Sequence, residues 1–150
     1  MEFKRMHTQN QVDVKSYLTR IKITNPDVKI HVGCDSQNYS NKTVFVTTVV
    51  VRFPKNGAQV IYKKEVVSKI NDMWTRLWSE LERSIKTAEF IKSQCRLTIC
   101  QIEMDYNENP EFASHKVLKA AGGYVSSLGF SAKAKDDILP AVWAANVLCR

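Results

Sequence analysis

Residues Lys29 to Asn38 read KIHVGCDSQN. Strand-forming residues run up to Gly33 and Cys34, and the next position is Asp35, where the chain should still be extended and half buried. Burying an ionised carboxylate without a partner costs several kcal/mol. A strand-embedded aspartate therefore calls for a cation, a hydrogen-bond donor or a metal.

Two more strand-like runs follow. Thr43–Phe53 (TVFVTTVVVRF) is almost purely β-branched and aromatic, and Ala58–Ser68 (AQVIYKKEVVS) alternates less cleanly. The connections QNYSNK and PKNG are short and rich in turn residues, so the three runs form an antiparallel meander. Before them, Val14, Tyr17, Leu18 and Ile21 fall at helical spacing in residues 11–22, and TNPD at 24–27 breaks that helix.

After the meander the period changes. Met73, Trp74, Leu77, Trp78, Leu81, Ile85, Ala88 and Ile91 make a helical stripe from Asp72 to about Ser93, capped by Asn71 or Asp72. RLTICQIEMDYN, 96–107, returns to strand. A helix opened by Asn109 and Pro110 closes at Gly129, FSAKAK is a short strand, and a last helix starts near Asp137 with Pro140 in its first turn.

This order predicts an α/β fold built as one domain over 1–150, with residues 1–10 as a flexible lead-in. The expected architecture is a mixed five-stranded sheet, three antiparallel strands and then two parallel additions, with helices on both faces and a short N-terminal helix. Right-handed crossovers set the later strands parallel to the first. Asp35 and Asp105 would then lie at the carboxyl ends of neighbouring strands.

Composition narrows the classes. No window approaches a membrane span and MEFKRMHTQNQ has no apolar signal core, so a cytoplasmic protein is expected. Cys34, Cys95, Cys100 and Cys149 form no CxxC pair or zinc-like spacing, and read as reduced and mostly buried. The sequons at Asn38 and Asn41 are then chance matches. Net charge is +7, with 12 Lys+Arg against 6 Asp+Glu in residues 1–75 and 10 against 9 in residues 76–150. Such an excess draws polyanions, nucleic acid first, although a merely basic surface would look the same.

Adjacent carboxylates repel, and one protonates unless a cation sits between them. A hard divalent ion with oxygen ligands resolves this, and Mg²⁺ or Mn²⁺ suits an all-carboxylate site. Glu80 and Glu82 on the long helix, and Asp136 and Asp137 before the last, could complete the set that two-metal phosphodiester cleavage needs.

The element order and acid positions resemble the ribonuclease H-like superfamily. More narrowly, the chain resembles the YkuK-type family of predicted RNase H-related nucleases. HVGCDSQ at 31–37, ELERSIKTAEF at 80–90, IEMDYNENPEFASHKVLKAAGGYVSSLGF at 102–130 and KDDILPAVWAAN at 135–146 carry the likeness. The resemblance implies Asp35 as the central ligand, Asp105 as its partner, Glu82 rather than Glu80, and Asp137 rather than Asp136, together holding two Mg²⁺ or Mn²⁺ ions. A helical wheel leaves Glu80 and Glu82 on opposite shoulders of the stripe. Asn107 and Lys116 fall on family-like positions, for a metal-bound water and a phosphate. Ser36 and Gln37 after Asp35 depart from the D-x-E pattern of proofreading-type exonucleases.

Plainer readings stand beside these. Asp35 alone suits a turn, Asp137 a helix cap and Glu82 a solvated helix surface. His7, His31 and His115 are isolated, with His115 beside Lys116. Trp74 and Trp78 fit the core face of their helix, and Lys63, Lys64 and Lys69 are surface charge or a backbone groove. The expected function is a metal-dependent nuclease acting on RNA, RNA–DNA hybrid or structured DNA. The alternative is a non-catalytic nucleic-acid-binding or assembly module, and a homodimer stays open.

Overall fold

The computed structural model describes residues 1–55, 57–106, 111, 114–134 and 138–150. Asp35 lies on strand β3 (Lys29–Asn38). Here β3 pairs antiparallel with β4 (Lys42–Arg52), which pairs antiparallel with β5 (Ala58–Ser68). Every residue of β4 from Thr43 to Val51 is buried. A strand covered on both faces needs apolar side chains on both, which is why its sequence shows no alternation.

The meander extends in both directions. On one side β1 (Glu2–Arg5) pairs antiparallel with β5 and with β2 (Gln11–Asp13). On the other, β6 (Gln101–Glu103) runs parallel to β3, and β7 (Ala132–Lys133) runs parallel to β6. Among the described residues the sheet thus has seven strands in the order β2-β1-β5-β4-β3-β6-β7, where five were expected from sequence. The two additional strands come from the N-terminal segment. Residues Glu2–Arg5 are paired strand rather than flexible lead-in, anchored by Phe3 at 2% exposure.

Among the described residues four helices cover the sheet. Helix α1 (Val14–Thr24) is capped by Asp13, whose Oδ2 accepts from Ser16 N at 2.9 Å. Helix α2 (Met73–Gln94) is capped in the same way by Asp72 and Thr75 N at 2.9 Å. With α3 (Ser114–Ser127), they bury the larger core against Ile30, Val32, Val49 and Val51. Helix α4 (Pro140–Cys149) covers the opposite face, where Ala145 and Cys149 pack on Val44, Val46 and Tyr62.

Sequence periodicity overextends the later elements. Strand β6 has three residues where 96–107 was expected. Helix α3 is described from Ser114, and the expected opening at Asn109 and Pro110 lies outside the described residues. Helix α4 opens at Pro140, with Leu139 as its N-cap and no side-chain bond from that residue. Its first amides are satisfied from across the sheet instead. Glu103 Oε1 accepts from Ala141 N at 2.7 Å and Val142 N at 3.0 Å. Gly33 lets the helix come this close, since a Cβ there would lie 3.0 Å from both Ala141 Cβ and Val142 N.

Candidate functional site

Strand pairing brings the segments that bear the two aspartates together, and the Asp105 charge acts on Asp35. Gly33 is in register with Glu103 on the parallel β3–β6 pair, and Asp35 and Asp105 each follow two residues later. Tyr106 anchors the segment after β6, being 1% exposed and donating its hydroxyl to Leu77 O of α2 at 2.6 Å. Asp105, between buried Met104 and Tyr106, is half-buried.

Asp35 is 8% exposed, and both its oxygens are engaged. Oδ1 accepts from Ser36 N at 2.9 Å, and Oδ2 accepts from Asn146 Nδ2 of α4 at 2.8 Å. Burial raises the Asp35 carboxyl above its ordinary pKa. The bonds from Asn146 and Ser36 oppose that rise, the Asp105 charge adds to it and Arg76 opposes it.

The acid that α2 brings to this place is Glu80. It is 5% exposed, and the Ser36 hydroxyl donates to its Oε1. Its carboxyl is pushed up to about 8, chiefly by burial; the Ser36 bond opposes this, Asp35 and Asp105 raise it further and Arg76 lowers it. Its burial thus favours the protonated form. Arg76, one turn earlier on α2, is half-buried, and its Nε has no hydrogen-bond partner among the described residues.

Glu82, the residue that the resemblance implied, lies apart from this cluster. It is exposed and lines a separate cavity with Thr47, Lys63, Glu65, Arg83 and Lys86. The reason is helical phase. The buried positions of α2 are Leu77, Glu80, Leu81, Ser84, Ile85, Thr87, Ala88 and Ile91, so Glu80 continues the buried row and Glu82 faces away. A polar row Glu80–Ser84–Thr87 beside the apolar stripe was the available signal.

Other expected residues divide. Lys116 is exposed in the first turn of α3. Asn107, Asp136 and Asp137 lie outside the described residues. His115 is half-buried, and its Nδ1 has no hydrogen-bond partner among the described residues. Trp74 is 45% exposed rather than core, while Trp78 is partly buried with its ring 6.2 Å from Tyr124. Lys63, Lys64 and Lys69 are exposed on and just after β5, and Lys63 stands 3.9 Å from Glu65. Ser36, Arg76 and Asn146 were not read as site residues from the sequence.

The thiols nearby are poor nucleophiles. Cys149 is pushed up to about 12 by burial and then by the charges of Asp35 and Glu80, and Cys34 is raised by its complete burial. Carboxylate oxygens are therefore the chemistry available. Such donors suit a hard divalent cation, and the raised Glu80 carboxyl marks a place short of positive charge. The donor type fits. The ligand count does not close, because no group of three His, Cys, Asp or Glu among the described residues is placed to hold a metal ion.

Among the described residues no helix is long and apolar enough to cross a membrane. No curated protein matches the chain. Residues 12–150 do match the family described as Ribonuclease H-like, a span that includes α1 to α4, every strand from β3 to β7, and the acids Asp35, Glu80 and Asp105. The chain belongs to the Ribonuclease H-like family.

Proposed function

We propose that this protein is a metal-dependent nuclease that hydrolyses phosphodiester bonds of RNA, RNA–DNA hybrid or structured DNA. In this reading Asp35, Glu80 and Asp105 hold Mg²⁺ or Mn²⁺ together with Asp137. The observation that carries it is the meeting of Asp35 and Glu80 beside the segment that bears Asp105, with more buried carboxylate than positive charge to match it.

When bound, two divalent ions would supply an acidified water and charge neutralisation at the scissile phosphate. The chain's own residues do the rest. Asn146 and the Ser36 amide fix the Asp35 carboxylate, and the Ser36 hydroxyl fixes Glu80. Glu80 would hold a cation in its ionised form, giving its proton to solvent. Arg76 offsets part of the negative charge, and its unpartnered Nε is a donor suited to a phosphate oxygen. Lys116 is proposed to meet a phosphate, Asn107 to hold a water, and the exposed lysines 63, 64 and 69 with Trp74 to meet the nucleic-acid backbone and bases. The whole of 1–150 would act as one unit in a reducing compartment such as the cytoplasm, in keeping with four free cysteines.

One observation favours a second reading, a nucleic-acid-binding or assembly module without chemistry. It is the lack of a closed three-ligand group among the described residues. Cleavage assays on single-stranded RNA, hybrid and branched DNA, with Mg²⁺ or Mn²⁺, separate the two. Metal-dependent cleavage that Asp35→Asn abolishes supports the nuclease. Nucleic-acid binding without cleavage by the wild type, on any of these substrates, supports the module.

A further inference from the structure

Helix α4, PAVWAANVLC, carries no acidic residue, yet it delivers a polar side chain directly to Asp35. That side chain is Asn146. Its Nδ2 stands 2.8 Å from Asp35 Oδ2. Two oxygens bound side by side on one octahedral Mg²⁺, each at about 2.0–2.1 Å, are themselves about 2.9 Å apart. An oxygen in the place of Asn146 Nδ2 would stand at that spacing from Asp35 Oδ2.

The amide is turned the other way for that role. Arg150, one helical turn on, donates from Nη2 to Asn146 Oδ1 at 3.0 Å. With Oδ1 engaged by Arg150, the NH₂ group faces Asp35 and takes one of the lone pairs a cation would use. The tight seat of α4 over Gly33 and its cap by Glu103 fix the helix in this position.

Resting on the metal-site reading, we infer that Asn146, oriented by Arg150, limits the divalent-ion affinity of the site by presenting a donor where a ligand oxygen would complete it. Asn146 is on this account a positioning residue for Asp35 that turns a donor, not an acceptor, toward the carboxylate. Reversing the polarity of that one group is expected to complete the site. Asn146→Asp places a carboxylate oxygen next to Asp35, and affinity at such sites follows ligand charge.

The test is calorimetric titration of Mn²⁺ alone into the wild type, Asn146→Asp and Arg150→Met, with thermal melts in metal-free buffer and in Mn²⁺. Asn146→Asp is expected to bind Mn²⁺ about tenfold or more tightly than the wild type. Its melting temperature should fall without metal, from repulsion by Asp35, and recover in Mn²⁺. A merely structural asparagine would give a loss that metal does not restore. Arg150→Met, at an exposed position, lets the amide turn its oxygen toward the ion, and is expected to raise affinity about threefold. It decides the matter if Asn146→Asp does not fold. Wild-type binding with neither variant tighter would overturn this inference and leave the metal-site reading standing. Binding by Asn146→Asp alone would support it while removing metal-dependent catalysis from the wild type. Binding by none of the three proteins would overturn both.

Discussion

Two buried glutamates in this molecule live in opposite circumstances. Glu103 on β6 is 2% exposed and Glu80 on α2 is 5% exposed. Glu103 is surrounded by donors: Oε1 accepts from Ala141 N and Val142 N, and Oε2 accepts from Gln101 Nε2 at 2.9 Å and lies 3.0 Å from His31 Nδ1. Glu80 has the Ser36 hydroxyl and two acidic neighbours. The first is a structural staple, a carboxylate whose lone pairs are used to dock a helix. The second has few donors and is driven by burial toward its neutral form, and a carboxyl so perturbed marks a candidate functional site.

The largest effect expected from this contrast lies at the staple. Glu103→Ala strands two helix amides, Gln101 and His31 in a buried place, and should destabilise the protein by about 3–5 kcal/mol in urea unfolding. A loss below about 1 kcal/mol would mean that α4 docks without it.

The next effect is the pH dependence conferred by Glu80. Its folded pKa of about 8 lies above the ordinary 4.5, so the folded state binds the proton more tightly than the unfolded chain. That contribution to stability is fully present below the ordinary value and is lost as pH rises through about 8. Asp35, also raised, acts in the same direction at lower pH. Metal-free wild type should therefore lose stability from pH 5 to pH 8, by at most about 1.4 kcal/mol per unit from Glu80. Glu80→Gln should flatten that slope in denaturation curves taken across this range. An unchanged slope would place the titration elsewhere.

A smaller effect tests the link between the two regions. Gly33→Ala pushes a methyl against Ala141 and the Val142 amide, and should cost about 1–3 kcal/mol. Because α4 carries Asn146, an NMR spectrum should show the Asn146 side-chain amide shifted as well. The smallest effect belongs to Glu82. It is exposed on the other side of α2, so Glu82→Gln should change stability by less than about 0.5 kcal/mol and leave cleavage intact, whereas Glu80→Gln should abolish cleavage.

What could be read from the sequence follows the range of the forces involved. Strands β3 to β5 and helices α1 and α2 are local patterns, and their bounds fall within a few residues of expectation. The neighbourhood of Asp35 and Asp105 was legible too, because a parallel crossover fixes which strand ends adjoin. The N-terminal hairpin was not, since β1 and β2 are short and Phe3 is their only deeply buried residue. The start of α4 was misread because its cap is Glu103, a residue 38 positions earlier, and local capping rules see only neighbours. Glu80 and Glu82 looked equivalent because the apolar stripe alone does not mark the polar row that continues its buried face. Asn146 carried no signal, since its meaning comes from contact with Asp35 across 111 positions.

Glu80 and Asp35 are both buried acids with raised pKa, and under the proposed function they are the pair that a cation completes. The most direct measurement is an NMR titration of the Glu80 side-chain carboxyl carbon, without divalent metal and again in saturating Mg²⁺. The account predicts a pKa near 8 without metal and an ionised Glu80 at pH 7 once Mg²⁺ is present. A Glu80 pKa in the ordinary carboxylate range without metal, or one that Mg²⁺ at millimolar concentration leaves unmoved, would contradict it.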